Sequence, residues 1–326
     1  MDMMSQEQEK KPFGVEDYDN LEQSLRFSAE PDGEGQPGGM EMKMADISWV
    51  KRKFLDVPYA DQSPAQRLDL YLPEEGEGPF PLVVHMHGGG FGMGDKRDDH
   101  MDTYLKGLAH GYAIASVEYR LSGEAIFPAA VLDCREAFRF LRRHAAEYSI
   151  DPDRFCALGG SAGGNLAALM GMNIPNGQFP GEEGMTFDTE CTVQACVDQF
   201  GPMDFRHMDE QARANGVSFV DHDTPESAES SYMGGALPTL SDEWLAKADP
   251  ATYINEDMAP MLVEHGCMDR LVPFMQSVNL VHAIYEKLGH GRVEFVPLPQ
   301  ADHEDREYSS EWNLRVLWSW LDKNLK

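Results

Sequence analysis

Basic residues are scarce in this chain. Lys and Arg total 27 against 56 Asp and Glu, giving a formal net charge of -29 over 326 residues. Nucleic-acid binding draws on counterion release at a basic face; no basic stripe is present, so that class is excluded. Anionic membrane surfaces and polyanionic ligands are disfavoured for the same reason. Cysteine is sparse too. Cys134, Cys156, Cys191, Cys196 and Cys267 are an odd number in a long chain, which argues against a disulfide framework. No second Cys/His pair at zinc spacing accompanies Cys191 and Cys196, so they read as reduced thiols and no metal site is expected. The sequence also lacks G-x-x-x-x-G-K-[ST] and any dinucleotide fingerprint, which argues against a phosphate cradle. There is no apolar run of the roughly eighteen residues that a membrane span needs. The opening MDMMSQEQEK has no apolar stretch followed by a small-residue cleavage site. A cytoplasmic protein without a membrane span is expected.

What is present suits one large α/β domain carrying insertions: 42% of the residues are hydrophobic, enough for a real core. Residues 1–45 are polar and end in the Pro/Gly cluster PDGEGQPGGM. They read as an arm, either a disordered connector or a short helix over a site mouth. From residue 46 to residue 326, short apolar runs alternate with helical patterns. WVKRKFLDVPYA and QRLDLYLP read as two half-exposed strands, PLVVHMH as a buried strand halted by glycines, and YAIASVEY, DRFCALGG, TVQACVDQF, APMLVEH and RVEFVPLP as the strands that follow. Helices are expected near 98–110, over 129–148, after Ser161, over 273–288 and at the C-terminus. Such alternation predicts right-handed βαβ units and a mostly parallel sheet flanked by helices. Residues 205–248 are long for a connection and carry Phe219, Tyr232, Met233 and Trp244. They are expected to form a cap insertion rather than a disordered acidic loop.

Chemistry concentrates at turns. Gly159-Gly160-Ser161-Ala162-Gly163-Gly164 fits G-x-S-x-G between a strand and a helix, a turn tight enough to lift a serine hydroxyl clear of the sheet. His87-Gly88-Gly89-Gly90 follows the third strand. Backbone N–H groups there, joined by that of Ala162, would face a developing oxyanion. His87 itself is expected to be structural. A serine hydroxyl needs a base to remove its proton and an acid to orient that base. His303 is the last histidine and lies on a loop after a strand, and Asp269 lies on the loop after APMLVEHG. His265 is expected to stay within its strand, in a structural role. Asp302 lies too near His303 in sequence for an easy bridge and is expected to hold the loop.

HGGGF, GGSAGG, HGCMDRLVP and the terminal ADH together resemble the hormone-sensitive-lipase-like and feruloyl/acetyl esterase (BD-FAE-like) branches of the α/β-hydrolases, from about Trp49 to the end. The resemblance implies the α/β-hydrolase fold and cofactor-free hydrolysis of short-chain or aryl carboxylic esters, acetylated or feruloylated sugars included. It implies Ser161 as nucleophile, Asp269 and His303 as its relay partners, and Gly89, Gly90 and Ala162 as oxyanion donors. Where such families carry glycine around the histidine, this chain has Asp302, Glu304 and Asp305. The expected partner is a small-molecule ester; assembly into a homo-oligomer stays open. Two other functions stay open: a serine peptidase of the prolyl-oligopeptidase type and a non-catalytic ligand-binding protein of the same fold.

Overall fold

The computed structural model describes residues 43–326; the arm expected over 1–45 lies almost wholly outside them. Eight strands form one sheet: β1 (Arg52–Pro58), β2 (Arg67–Leu72), β3 (Phe80–Met86), β4 (Ala113–Val117), β5 (Ile150–Gly160), β6 (Ala195–Gln199), β7 (Met261–Gly266) and β8 (Val293–Leu298). Their order is β1-β2-β4-β3-β5-β6-β7-β8. β2 runs antiparallel to both β1 and β4, and from β4 to β8 every pairing is parallel. This is the α/β-hydrolase fold.

Strand residues alternate between two apolar layers because successive side chains point to opposite faces. Leu82, Val84 and Met86 of β3 join one cluster and Val83 the other; on β5, Phe155 and Ala157 oppose Cys156 and Leu158. β3, β4, β6 and β7 are buried along their whole length and mostly apolar, while the edge strand β8 exposes Glu294 and Pro297. The first layer is closed by helices Ala129–Arg143, Ala162–Gly171 and Met275–Leu288, the second by the C-terminal helix Glu311–Leu325 with Leu317, Trp318 and Leu321.

Among the described residues the α-helices are, in chain order, α1 (Met101–Tyr104), α2 (Ala129–Arg143), α3 (Ala162–Gly171), α4 (Met208–Asn215), α5 (Ala228–Met233), α6 (Asp242–Ala246), α7 (Met275–Leu288) and α8 (Glu311–Leu325). Two expected helices differ. The one near 98–110 is α1 followed by a 3-10 turn over Leu105–His110, where the backbone at Gly107 passes so close to Trp318 that a Cβ would lie 2.6 Å from its ring. The one expected to reach Tyr148 stops at Arg143; the chain then turns through Ser149, at φ 55°, into β5.

Residues 205–248 fold into short helices whose Phe205, Met208, Tyr232, Met233, Leu237 and Leu245 enter the first apolar layer. Trp244 packs at its margin, its indole N–H donating to the Met233 carbonyl at 3.1 Å. Phe219 stays 39% exposed, against the expectation that it buries. All five cysteines carry free thiols. Among the described residues no helix is long and apolar enough to cross a membrane, and no group of three or more His, Cys, Asp or Glu could hold a metal ion.

Candidate active site

Ser161 sits between the last residue of β5 and the first of α3. Its backbone is at φ 55°, ψ -126°, a region that costs a non-glycine residue about 1–3 kcal/mol. The surroundings impose it: Ser161 N–H donates to the Gln199 carbonyl at 2.9 Å, and its own carbonyl accepts Gly164 N–H at 2.8 Å. The neighbouring glycines are demanded by close approach. A Cβ on Gly163 would lie 2.0 Å from the Met86 carbonyl oxygen, and one on Gly159 would lie 2.2 Å from that of Gly163.

The turn delivers the hydroxyl to His303: Ser161 Oγ lies 3.0 Å from Nε2, and Nδ1 lies 2.8 Å from Asp269 Oδ2. The two loops carrying these groups follow β7 and β8, and their backbones are knitted together, Cys267 N–H donating to Leu298 O and Met268 N–H to Ala301 O. Asp302 holds the His303 loop. Its Oδ1 accepts His303 N–H at 2.7 Å and Arg270 N–H at 2.9 Å, and Oδ2 accepts from Arg270 Nε at 2.6 Å. Phe200 packs edge-on against the His303 ring at 4.8 Å.

Burial alone would push the Asp269 carboxyl up, but the charge of His303 and hydrogen bonds from His265 and His303 hold it well below the usual carboxylate range. For His303, burial pulls the pKa down; the charge and hydrogen bond of Asp269, with Glu304 and Asp302 adding to them, outweigh this and raise it. The imidazole is thereby suited to receive a proton from Ser161.

Gly88 borders the serine, a Cβ there falling 3.4 Å from Ser161 Cβ. Gly89 (φ 95°) and Gly90 (φ 56°) continue the loop. Among the described residues, the N–H groups of Gly89, Gly90 and Ala162 donate to no protein acceptor. His87 pins the loop from below, as expected of a structural residue: its Nδ1 lies 2.9 Å from Gly88 O, the Tyr119 ring stacks on it at 4.3 Å, and Tyr119 O–H donates to the His87 carbonyl at 2.8 Å.

The 205–248 segment touches both sides of the site. Ser218 O–H donates to the Asp269 carbonyl at 2.8 Å and Phe219 N–H to that of Arg270 at 2.7 Å. Further on, Ala228 rests against Gly90 and Tyr232 stacks on Phe91 at 3.8 Å. Beside the His303 loop lies a polar cleft of about 180 Å³ lined by His100, Tyr104, Gln199, Phe200, Glu304 and Tyr308, among others. A hydrogen bond to the Asp98 carboxylate, opposed by burial and helped by Glu304, raises the pKa of His100 to about 9.

The fold therefore brings together Ser161, His303 and Asp269, and sets Gly89, Gly90 and Ala162 on the two turns beside the serine. Sequence reasoning missed the contact of His265 with Asp269, 3.2 Å between Nε2 and Oδ2. The one signal for it was the spacing of four residues in HGCMD, which a strand assignment for His265 hides.

The BD-FAE family model matches residues 68–284. Among curated relatives, the probable carboxylic ester hydrolase LipM of Mycobacterium tuberculosis is 26% identical over 251 residues, covering 76% of this chain and 55% of that protein. Esterase LipQ of the same organism is 28% identical, with 76% and 56% covered. The chain thus spans just over half the length of these relatives. A solved structure described as a truncated form of carbohydrate esterase from gut microbiota superposes with a TM-score of 0.74 at 26% identity, covering 86% of this chain and 99% of that one.

Proposed function

The chain belongs to the BD-FAE family, and from that premise we propose that it is a serine-dependent carboxylic-ester hydrolase working through an acyl-enzyme. The observation carrying this reading is the unbroken chain of contacts from Ser161 Oγ to His303 Nε2 at 3.0 Å and from His303 Nδ1 to Asp269 Oδ2 at 2.8 Å. Ser161 Oγ attacks the ester carbonyl carbon as its proton passes to His303 Nε2. The carbonyl oxygen becomes an oxyanion facing the N–H groups of Gly89, Gly90 and Ala162, where fixed donors stabilise charge as it develops. The tetrahedral species collapses, the C–O bond to the alcohol breaks, and His303 returns the proton to the leaving oxygen. Water then repeats the sequence on the acyl-enzyme, with His303 again as base, and releases the acid and free Ser161. Asp269 keeps the proton on Nδ1 and stabilises the imidazolium.

Short-chain esters, acetylated sugars among them, are the proposed substrates. The carbohydrate esterase of the gut microbiota supports this class, and the LipM and LipQ relatives support ester hydrolysis. The hydrogen bonds of Ser218 and Phe219 to the Asp269 loop support residues 205–248 as a cap that shapes the acyl or alcohol pocket. The five free thiols support a reducing compartment, the cytoplasm. The test is hydrolysis of p-nitrophenyl acetate, butyrate and octanoate and of methyl ferulate by the wild type and by Ser161→Ala. Turnover that vanishes with Ser161→Ala is expected; turnover surviving that substitution sinks the mechanism.

A further inference from the structure

Asp269 receives more donors than a single histidine supplies. Its Oδ1 accepts the N–H groups of Leu271 and Val272 at 2.8 and 2.7 Å. Its Oδ2 lies 2.8 Å from His303 Nδ1 and 3.2 Å from Nε2 of a second imidazole, His265. His265 is fully buried near the end of β7, and both its nitrogens are engaged. Nε2 also lies 3.1 Å from the Val272 carbonyl oxygen, and Nδ1 lies 2.7 Å from Ser277 Oγ on α7. Two oxygens that can only accept lie beside Nε2, so the proton belongs there, donated to the Val272 carbonyl with Asp269 Oδ2 next to it at 3.2 Å. Nδ1 then accepts the Ser277 hydroxyl proton.

We propose that His265 is a positioning residue for the Asp269–His303 couple, an inference resting on the reading of that couple as catalytic. It does two things through the contact of its Nε2–H with the Asp269 carboxylate. With the Leu271 and Val272 amides it fixes the plane of the carboxylate, so that Oδ2 stays aimed at His303 Nδ1. Its N–H dipole also turns a positive end toward Oδ2 and draws off part of the charge that His303 meets. The imidazolium of His303 is then less favoured than it would be beside an unshared carboxylate, and the neutral base is kept available nearer neutral pH. The other ionisable groups around the pair have their own partners or positions. Arg270 is held by Asp302, Glu304 and Asp305 lie on the His303 loop, and Tyr308 O–H accepts Gly266 N–H at 2.7 Å. Glu264, the residue before His265, accepts from Gln199 and Asn313.

The experiment is a histidine Cε1–H NMR titration of the full chain, with the His303 signal assigned from His303→Gln. It compares the wild type with His265→Leu, which removes the donor, and with His265→Gln, whose Nε2 supplies one near the same place. His265→Met is carried as a second apolar replacement of different shape, so that a folding failure of one leaves the other to decide. The His303 midpoint is expected to rise by about half a pH unit or more in the apolar variants and to stay within about 0.2 in His265→Gln. In p-nitrophenyl acetate hydrolysis, kcat is expected to fall roughly 10- to 100-fold in the apolar variants, with KM within about threefold, and to recover in His265→Gln. An unmoved midpoint in the apolar variants overturns the proposal, as does an equal movement in all three variants, which marks a packing role. A wild type that hydrolyses no ester overturns the proposed function instead, while the NMR midpoints still decide the positioning role of His265.

Discussion

Replacing Asp269 by Asn tests the site with almost no change of shape, and the structure dictates how the amide must sit. Oδ1 of Asp269 accepts two backbone N–H groups, from Leu271 at 2.8 Å and Val272 at 2.7 Å. Only the carbonyl oxygen of Asn can take that place, because an NH₂ there would meet two donors at hydrogen-bond distance. The NH₂ is therefore forced to the Oδ2 side, 2.8 Å from His303 Nδ1 and 3.2 Å from His265 Nε2, where the facing groups are imidazoles that can change tautomer and not backbone amides that cannot. Donor then faces donor unless His303 moves its proton from Nδ1 to Nε2, and an Nε2–H facing Ser161 at 3.0 Å cannot accept the serine proton. The wrong tautomer and the loss of the charge that stabilises imidazolium together cost about 10⁴-fold in kcat, the size such a substitution has in other serine triads. That corresponds to about 5.4 kcal/mol of transition-state stabilisation. The assay is p-nitrophenyl acetate hydrolysis near neutral pH, with circular dichroism to show an intact fold. The expected result is a collapse of kcat with KM within a fewfold of the wild type. A folded Asp269→Asn enzyme retaining more than about a tenth of wild-type kcat refutes the assignment of Asp269 as the acid.

Other outcomes follow from the same contacts. Burial lowers the pKa of His303, but Asp269, Glu304 and Asp302 outweigh it and raise it; only the neutral imidazole accepts the serine proton, so kcat/KM is expected to fall on the acid side with a midpoint above the ordinary histidine value of about 6.5. A pH–rate profile with that midpoint below 6 contradicts this. Gly163→Ala places a Cβ 2.0 Å from the Met86 carbonyl oxygen, backbone that cannot swing aside, and is expected to cost several kcal/mol and most of the soluble yield; a normal thermal melt counts against the tight turn. Glu182 sits fully buried between Arg135, at 2.8 Å, and Arg139. Glu182→Ala strands two buried guanidinium groups and is expected to cost about 3–5 kcal/mol in a denaturant melt, leaving kcat of the folded fraction nearly unchanged. A loss under about 1 kcal/mol shows that solvent or another acid takes over.

Much of this molecule is local in origin and legible in the amino-acid sequence. Short apolar runs ended by glycine suit buried strands, and β3, β5, β6 and β7 lie where such runs stand. The serine turn is equally plain, since glycines at 159, 160, 163 and 164 permit a backbone approach that a side chain would block. The order of serine, acid and histidine, each after a strand, places three distant residues at one sheet edge. Element ends are less legible: whether a helix stops at Arg143 or Tyr148 depends on where the next strand must start, which is a tertiary condition.

What the residues alone determined is therefore the alternation of strands and helices, the turn at Ser161 and the groups able to do acyl transfer. Tertiary structure decided which polar groups share a partner. His265 and Asp269 are four residues apart, yet only the curl of the loop beyond Gly266 brings the carboxylate back to the strand-end imidazole, 3.2 Å away. Glu182 meets Arg135 across 47 positions, and Ser218 meets the Asp269 carbonyl across 51. Periodicity reports only which face of an element avoids water. Hydrogen bonds of buried groups depend on angstrom-level placement across separate elements, set by the packing of the whole core.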